Sequence, residues 1–222
     1  MKFFKLVSLF VLCLCCISCF EVVEEVDLKK DGSGSMTFTL NMSQSKSKLA
    51  SIMLLDSING VKVPSRKDIQ NVLKDVVSEL NQATGITNIQ KTEDYDNFVF
   101  SIKCDFKSID NINNLLQDAL SKNKKTTALS SYFFDVNKGN FKRKYTYSPE
   151  IKKQYNKLKE ENKKVFKDAS YTIIYRFASE ISSQTSTSAK ISKSKKAIMQ
   201  RLNAMDIING SSNFNNQIQL KK

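Results

Sequence analysis

Apolar residues along this chain recur at two periods, and the switches between them mark out its elements. Residues 20–28 read as a strand whose alternation slips at Val22-Val23, which predicts a bulge there. Lys30-Asp31-Gly32-Ser33-Gly34 is a turn, after which Met36, Phe38, Leu40 and Met42 alternate with Thr37, Thr39 and Asn41. The pair predicts a hairpin. A phosphate loop would need Gly-Lys-Ser/Thr and a following helix, and the Asp31–Gly34 stretch has neither.

Residues 43–55 predict a helix. A second carries Ile69, Val72, Leu73, Val76, Val77 and Leu80 on one stripe, with Ser65 to cap its start and Gly85 beyond its end. Residues 85–92 return as strand. Phe98, Phe100, Ile102, Cys104 and Phe106 then hold five successive positions at period two, the strongest strand signal in the chain. Ser108 caps a helix bearing Ile109, Ile112, Leu115, Leu116, Ala119 and Leu120.

Tyr132, Phe134 and Val136 lead into an Asn137-Lys138-Gly139 turn, and Phe141, Arg143, Tyr145 and Tyr147 lead out of it. Ser148-Pro149 starts a charged helix, with Pro at its first position. Tyr171, Ile173, Tyr175 and Phe177 form another strand. A hairpin about Lys193-Ser194 and a last strand through Phe214, Ile218 and Leu220 complete the pattern. Strands joined by short turns, without regular βαβ alternation, predict an α+β fold. We expect a largely antiparallel sheet packed with two to four helices in a single domain, with a charged helical excursion at 148–168. Neither an internal repeat nor a dividing linker interrupts it.

The first 18 residues have a different character. Lys2 and Lys5 precede an apolar run, residues 6–16, that is too short to span a bilayer, and Ser18 precedes Cys19. This is the pattern of a secretory signal. Ile17-Ser18-Cys19 resembles the lipobox of bacterial lipoproteins, in which the cysteine is diacylated (palmitate is a common chain) and becomes the first mature residue. Cys16 departs from the usual Leu three positions earlier. The alternatives are an ordinary signal cut nearby or an uncleaved anchor. On the lipoprotein reading, residues 1–18 are the signal peptide and 19–222 the exported domain. The protein is then a lipid-anchored membrane protein of the cell envelope, at the outer membrane or cell surface rather than the inner membrane.

Composition narrows the chemistry. The chain holds 35 Lys+Arg against 22 Asp+Glu, a formal charge of +13. That favours anionic partners, lipid, glycolipid or acidic polysaccharide, and export disfavours nucleic acid. Of five cysteines, Cys13, Cys15 and Cys16 leave with the leader and Cys19 carries lipid, so only Cys104 remains. On its strand it reads as a small core hydrophobe. With no histidine, His-containing zinc sites, Ser-His-Asp triads and Cys-His dyads are excluded. We expect no cofactor, no metal and no catalytic residues.

Between Lys138 and Lys167 eleven basic residues stand against Glu150, Glu160 and Glu161. The candidate basic surface is Lys142, Arg143, Lys144, Lys152, Lys153, Lys157, Lys163 and Lys164, interleaved with Tyr145, Tyr147 and Tyr155. Tyrosine beside lysine suits a headgroup-level surface, and the same charges also suit a solvated helix face. Strand pattern begins within a few residues of Cys19, so the folded body must lie close to the membrane.

The lipobox, Val26-Asp27-Leu28 running into Lys30–Gly34, Phe98-Val99-Phe100 with Phe106, and residues 171–177 followed by Glu180-Ile181 and Ile191-Ser192 together resemble the LppM-domain lipoproteins and related bacterial lipoproteins. Ala178 replaces a proline often found in that family after the late-strand aromatic, and the C-terminal membrane segment of some members is lacking. The resemblance implies an α+β exported domain without an assigned enzymatic role, offering an apolar face to an amphiphile. It supplies no functional residues.

The reading is a non-enzymatic lipid-anchored envelope protein that binds an amphiphilic or anionic envelope component. A ligand cavity would be lined by Phe98, Phe100, Ile102 and Phe106 from one strand and Val72, Val76 and Leu80 from the facing helix. The same seven suit plain core packing. The alternative is an interaction or assembly factor docking on another envelope protein, with an enzyme a distant third.

Overall fold

The structure, a computed structural model, describes residues 20–58, 61–123 and 129–222. The leader and Cys19 lie outside them. The strands are β1 (Glu21–Leu28), β2 (Gly34–Asn41), β3 (Ser57–Ile58), β4 (Val61–Lys62), β5 (Ile86–Asp94), β6 (Val99–Phe106), β7 (Leu129–Asp135), β8 (Asn140–Thr146), β9 (Ser170–Phe177), β10 (Ile181–Gln184), β11 (Lys190–Ile191), β12 (Ala197–Asn203) and β13 (Asn216–Leu220). The helices are α1 (Lys46–Ile52), α2 (Arg66–Gln82), α3 (Ile109–Asn123), α4 (Pro149–Asn156), α5 (Glu160–Lys163) and α6 (Ala204–Asn209).

The strands form a long sheet in the order β11-β12-β9-β1-β2-β6-β5, a small sheet β10-β13-β8-β7, and the ribbon β3-β4. The expected α+β class holds. Among the described residues β1 and β9 are the one parallel pair, with a long stretch of chain between them.

One face of the long sheet is polar. Glu21, Glu25, Asp27, Thr37, Thr39, Ser101 and Lys103 share it through the β1–β2 and β2–β6 registers. The other face carries Val26, Leu28, Phe100, Cys104, Phe106, Ile173, Tyr175 and Phe177, all buried. The small sheet packs on this inner face through rings. Phe141 meets Tyr175 at 5.0 Å and Phe177 at 5.4 Å, and Phe214, just before β13, meets Tyr171 at 4.9 Å. One apolar cluster therefore runs through both sheets, with Ile109 and Ile112 of α3 added to it.

Both turn glycines after β1 are explained locally. Gly32 has φ +84 in the turn, and a Cβ on Gly34 would strike the Asp27 carbonyl oxygen and the Phe106 ring. Asp31 accepts hydrogen bonds from Ser33 N–H (3.0 Å) and Oγ (2.7 Å), so its carboxylate stays within the turn. Ser65 and Asp68 form a reciprocal capping box at the start of α2.

Three expectations are corrected. First, β1 has no bulge: its register with β2 is unbroken, and the irregularity lies in β5 between Thr87 and Gln90. The alternation at Val22-Val23 looks broken only because Glu24 takes an inward position. Second, the charged excursion is not one helix. It is α4, then α5, then a 3₁₀ turn over 164–166, interrupted where Lys159 is extended at φ −62, ψ 151. Third, α6 was not foreseen, although Asn203 caps it and Gly210 ends it at φ +73. Six residues are too few to show a helical period.

Phe141 is enclosed on every side, whereas Phe133, also in the small sheet, is turned to solvent. Phe141→Ala should lower stability by about 3–5 kcal/mol and Phe133→Ala by no more than about 0.5 kcal/mol. Urea unfolding of the two variants measures the difference.

Candidate functional site

Ionisable side chains meet at the centre of the interface between the sheets. Arg143 on β8 takes the same inward alternation as Phe141 and Tyr145, and Glu24 on β1 takes that of Val26 and Leu28. They are 3% and 2% exposed. The guanidinium grips the carboxylate with both ends, Nη1 to Oε1 at 2.6 Å and Nη2 to Oε2 at 3.2 Å.

Tyrosines complete the shell. Tyr132 and Tyr175 donate to Oε1 at 2.6 and 3.1 Å, and Tyr171 donates to Oε2 at 2.7 Å. The Arg143 guanidinium also lies over the Tyr132 ring at 4.3 Å, bonds its hydroxyl and donates to Ser130 Oγ at 3.2 Å. Its Nε is buried without a partner among the described residues.

Burial by itself pushes the Glu24 carboxyl upward. The Arg143 charge and the hydroxyls of Tyr132 and Tyr171 more than offset it, so its pKa lies below the ordinary value. Burial and the Glu24 charge push the Tyr132 and Tyr171 phenols well up, and burial likewise raises Tyr175. The pair is thus charged, and the phenols neutral, at physiological pH. Sealed from solvent, it works as an internal clamp between β1 and β8.

A largely apolar opening lies elsewhere on the inner face, with the ion-paired Lys91 and Glu93 of β5 on its floor beside Ile102 and Phe100. Phe38, whose same-face neighbours across the strands are Glu24 and Ile102, is 46% exposed. Tyr171 touches its ring edge at 6.5 Å, and Leu40, Val22 and Ile102 around it are half-buried. The small sheet covers β1 and β9, α2 lies on β5, and α3 lies on β7 and reaches β6, which leaves β2 around Phe38 with the least cover.

The opening is bounded by α2. Its first residue, Arg66, stacks on Tyr95 at 5.1 Å beyond the end of β5, and Tyr95 meets Phe100 at 5.2 Å. The helix therefore runs antiparallel to β5 on the inner face. Ile69, Leu73, Val77 and Leu80 are half-buried, while Val72 (62%) and Val76 (37%) remain exposed. A right-handed helix in this orientation turns that flank toward β6 and β2.

The expected ligand set is thus divided. Val72, Val76 and Ile102 border the opening. Phe100 and Phe106 are core, Leu80 packs against the core, and Phe98 is buried in the turn before β6 at φ +54 rather than on the strand. Phe38 was missed, although its alternation with Thr37 and Thr39 placed it on the apolar face.

The expected basic surface is divided as well. Lys142 and Lys144 project from the outside of the small sheet, and Lys152, Lys153, Lys157 and Lys164 from the excursion. Lys163 folds onto Glu160 at 2.7 Å and the Tyr155 ring at 5.8 Å. Arg143 does not belong to that surface: the period-two pattern of β8 carries it into the core.

Among the described residues no cluster of His, Cys, Asp or Glu could hold a metal, and no helix is long and apolar enough to cross a membrane. Cys104 is buried and unpaired. Burial, with Asp105 beside it, pushes its thiol up to about 11.

No family model matches the chain, and no curated protein matches it. Among solved structures it is similar to the NMR structure of the folded domain of LppM from Mycobacterium tuberculosis. The two share 9% identity over 91% of each chain, with a TM-score of 0.45. At that level the likeness carries neither residues nor function across.

Removing only Arg143 leaves a buried carboxylate unpaired, so Arg143→Met should cost about 3–5 kcal/mol, and the double variant Glu24→Leu/Arg143→Met markedly less. Because the folded pKa of Glu24 is lowered, its contribution is complete above the ordinary carboxylate value and is lost as pH falls through the folded one. Wild-type urea midpoints should therefore fall more steeply in acid than those of the double variant. Cys104 should resist thiol reagents at neutral pH until the chain unfolds, as a colorimetric thiol assay would record.

Proposed function

We propose that this chain is a non-enzymatic, lipid-anchored protein of the cell envelope that binds an amphiphilic envelope component in the opening between α2 and the long sheet. The observation that carries the reading is Phe38. It stands on the core-facing side of the sheet, yet nearly half its surface is left to water while Phe100, Cys104 and Phe106 on the same face are buried. Val72, Val76 and Ile102 border the same space. An acyl chain laid there would cover apolar surface that the fold leaves open, and covering the exposed half of Phe38 contributes about 1 kcal/mol.

Anchoring rests on the Cys19 pattern and on the short path from it to β1. The registers put Glu21 beside Asn41, and the half-buried Val22 and Leu40 next to that end. The opening therefore reaches the end of the sheet from which residue 19 leaves. An amphiphile could keep its head near a bilayer while its chain enters the protein. Docking on another envelope protein is the second reading. Phe133, about half exposed beside Lys142 on the outside of the small sheet, favours it.

The full chain purified from bacterial envelopes in mild detergent should retain a stoichiometric amphiphile in native mass spectrometry, identified from the organic extract. Phe38→Asp and Val76→Asp should lower occupancy about tenfold or more with little change in thermal stability. A chain that carries no such ligand at any detergent level overturns the reading and leaves protein docking.

A further inference from the structure

The charged excursion leaves the fold after β8 and is brought back to one particular place. Phe166, in its last turn, meets the Phe20 ring edge-on at 5.6 Å and the Tyr155 ring of α4 at 5.6 Å. Ser170 N–H donates to the Phe20 carbonyl oxygen at 3.2 Å, which locks the end of the excursion to the start of β1. The three rings pin α4 and the 164–166 turn beside the first described residue. Consecutive Cα atoms are about 3.8 Å apart, so the bond to Cys19 departs from this same corner.

The corner is basic. Seven lysines and four carboxylates occupy residues 149–168. Lys152, Lys153, Lys157, Lys164 and Lys167 are exposed there. The acidic groups are Glu150, 3.9 Å from Lys153, Glu160, closed onto Lys163, and Glu161 and Asp168. Other elements add Asp206 of α6, the helix packed on α4, and Glu21 beside Phe20, which is held by Thr172 at 2.7 Å and Arg201 at 3.7 Å. Lysines on an exposed helix are ordinarily just solvated. These differ in being held by an aromatic triplet at the point where the acylated residue of the anchored reading joins the fold.

We propose that this corner is a docking face for an anionic bilayer surface, with the lysines at headgroup phosphates and Phe20, Phe166 and Tyr155 at the interface. The proposal rests on the anchored reading and deepens it. One lipid-modified residue and one basic patch are the two weak signals that together give a stable peripheral attachment. Because the patch is fixed to the fold, docking also sets orientation: the Val22–Leu40 end of the apolar opening faces the bilayer, and the Lys193–Lys196 turn points away from it. That turn lies at the Leu28 end, since Phe177, the partner of Leu28, donates to the Lys196 carbonyl.

The test uses the full lipidated chain on vesicles of phosphatidylcholine alone or with about 30% phosphatidylglycerol, probed by amine acylation mapped by mass spectrometry. On the anionic vesicles Lys152, Lys157 and Lys164 should be labelled at least about threefold more slowly relative to Lys193. The difference should vanish in about 0.5 M salt. The variant Lys152→Glu/Lys157→Glu/Lys164→Glu should float with the vesicles and melt as wild type does, but show no lipid dependence at Lys153 and Lys167. Equal labelling on both vesicles, with the chain floating, overturns docking and leaves the anchor standing. A chain that lacks the acyl mass and does not float overturns the anchored reading and the docking with it. Equal protection by a soluble acidic polysaccharide without vesicles overturns the commitment to a bilayer.

Discussion

The bidentate contact between Arg143 and Glu24 joins the two sheets at their centre, and much of the structure is arranged so that this buried pair can exist. An isolated charge in such a place is strongly unfavourable, so the carboxylate and both ends of the guanidinium must be met, and Nε alone of that group has no partner among the described residues. The carboxylate accepts from Arg143 and three tyrosines, and the guanidinium spends its remaining contacts on Ser130 and the Tyr132 ring. Two strands, β7 and β9, must carry tyrosine at matching inward positions for that shell to close. An apolar pair of similar volume would hold the sheets together as well. What the ion pair adds is a register: β8 cannot slide against β1 without leaving a charge unpaired.

The clamp also determines where the long sheet is left uncovered. It draws the small sheet over β1 and β9, while α2 follows the edge strand β5. With α3 reaching β6, seven strands are still wider than these covers, and the gap falls around Phe38 of β2. Phe38, Val72 and Val76 are exposed for that reason. Sheet width and cover width differ, and an apolar opening is the geometric remainder.

At the Phe20 end the fold gathers the start of β1, the basic excursion and the open end of the apolar surface. The Phe20–Phe166–Tyr155 contacts turn what would be a loose charged insertion into a surface of fixed direction. In the proposed anchored form, the anchor, the charge and the opening share one side of the molecule.

Much of this was legible from residue order. Period-two runs placed β2, β6, β8 and β9, the 3.6 period placed α2 and α3, and Ser65 and Gly32 marked a cap and a turn, because these features depend on neighbours a few residues apart. Even the inward position of Arg143 followed from its alternation with Phe141 and Tyr145. It was read as surface because a charge is expected outside. Glu24 misled in the same way, appearing as a broken strand pattern. Their partnership joins positions 119 residues apart, and no local period reports it. The parallel β1–β9 pairing, the return of the excursion to Phe20 and the exposure of Phe38 likewise depend on which surfaces meet. Residue order by itself determined the longer strands and helices, the class and the lipobox-like leader, since each is written in short-range pattern. Only the tertiary structure decided which apolar and charged groups were covered, because burial is a property of the partner as much as of the residue.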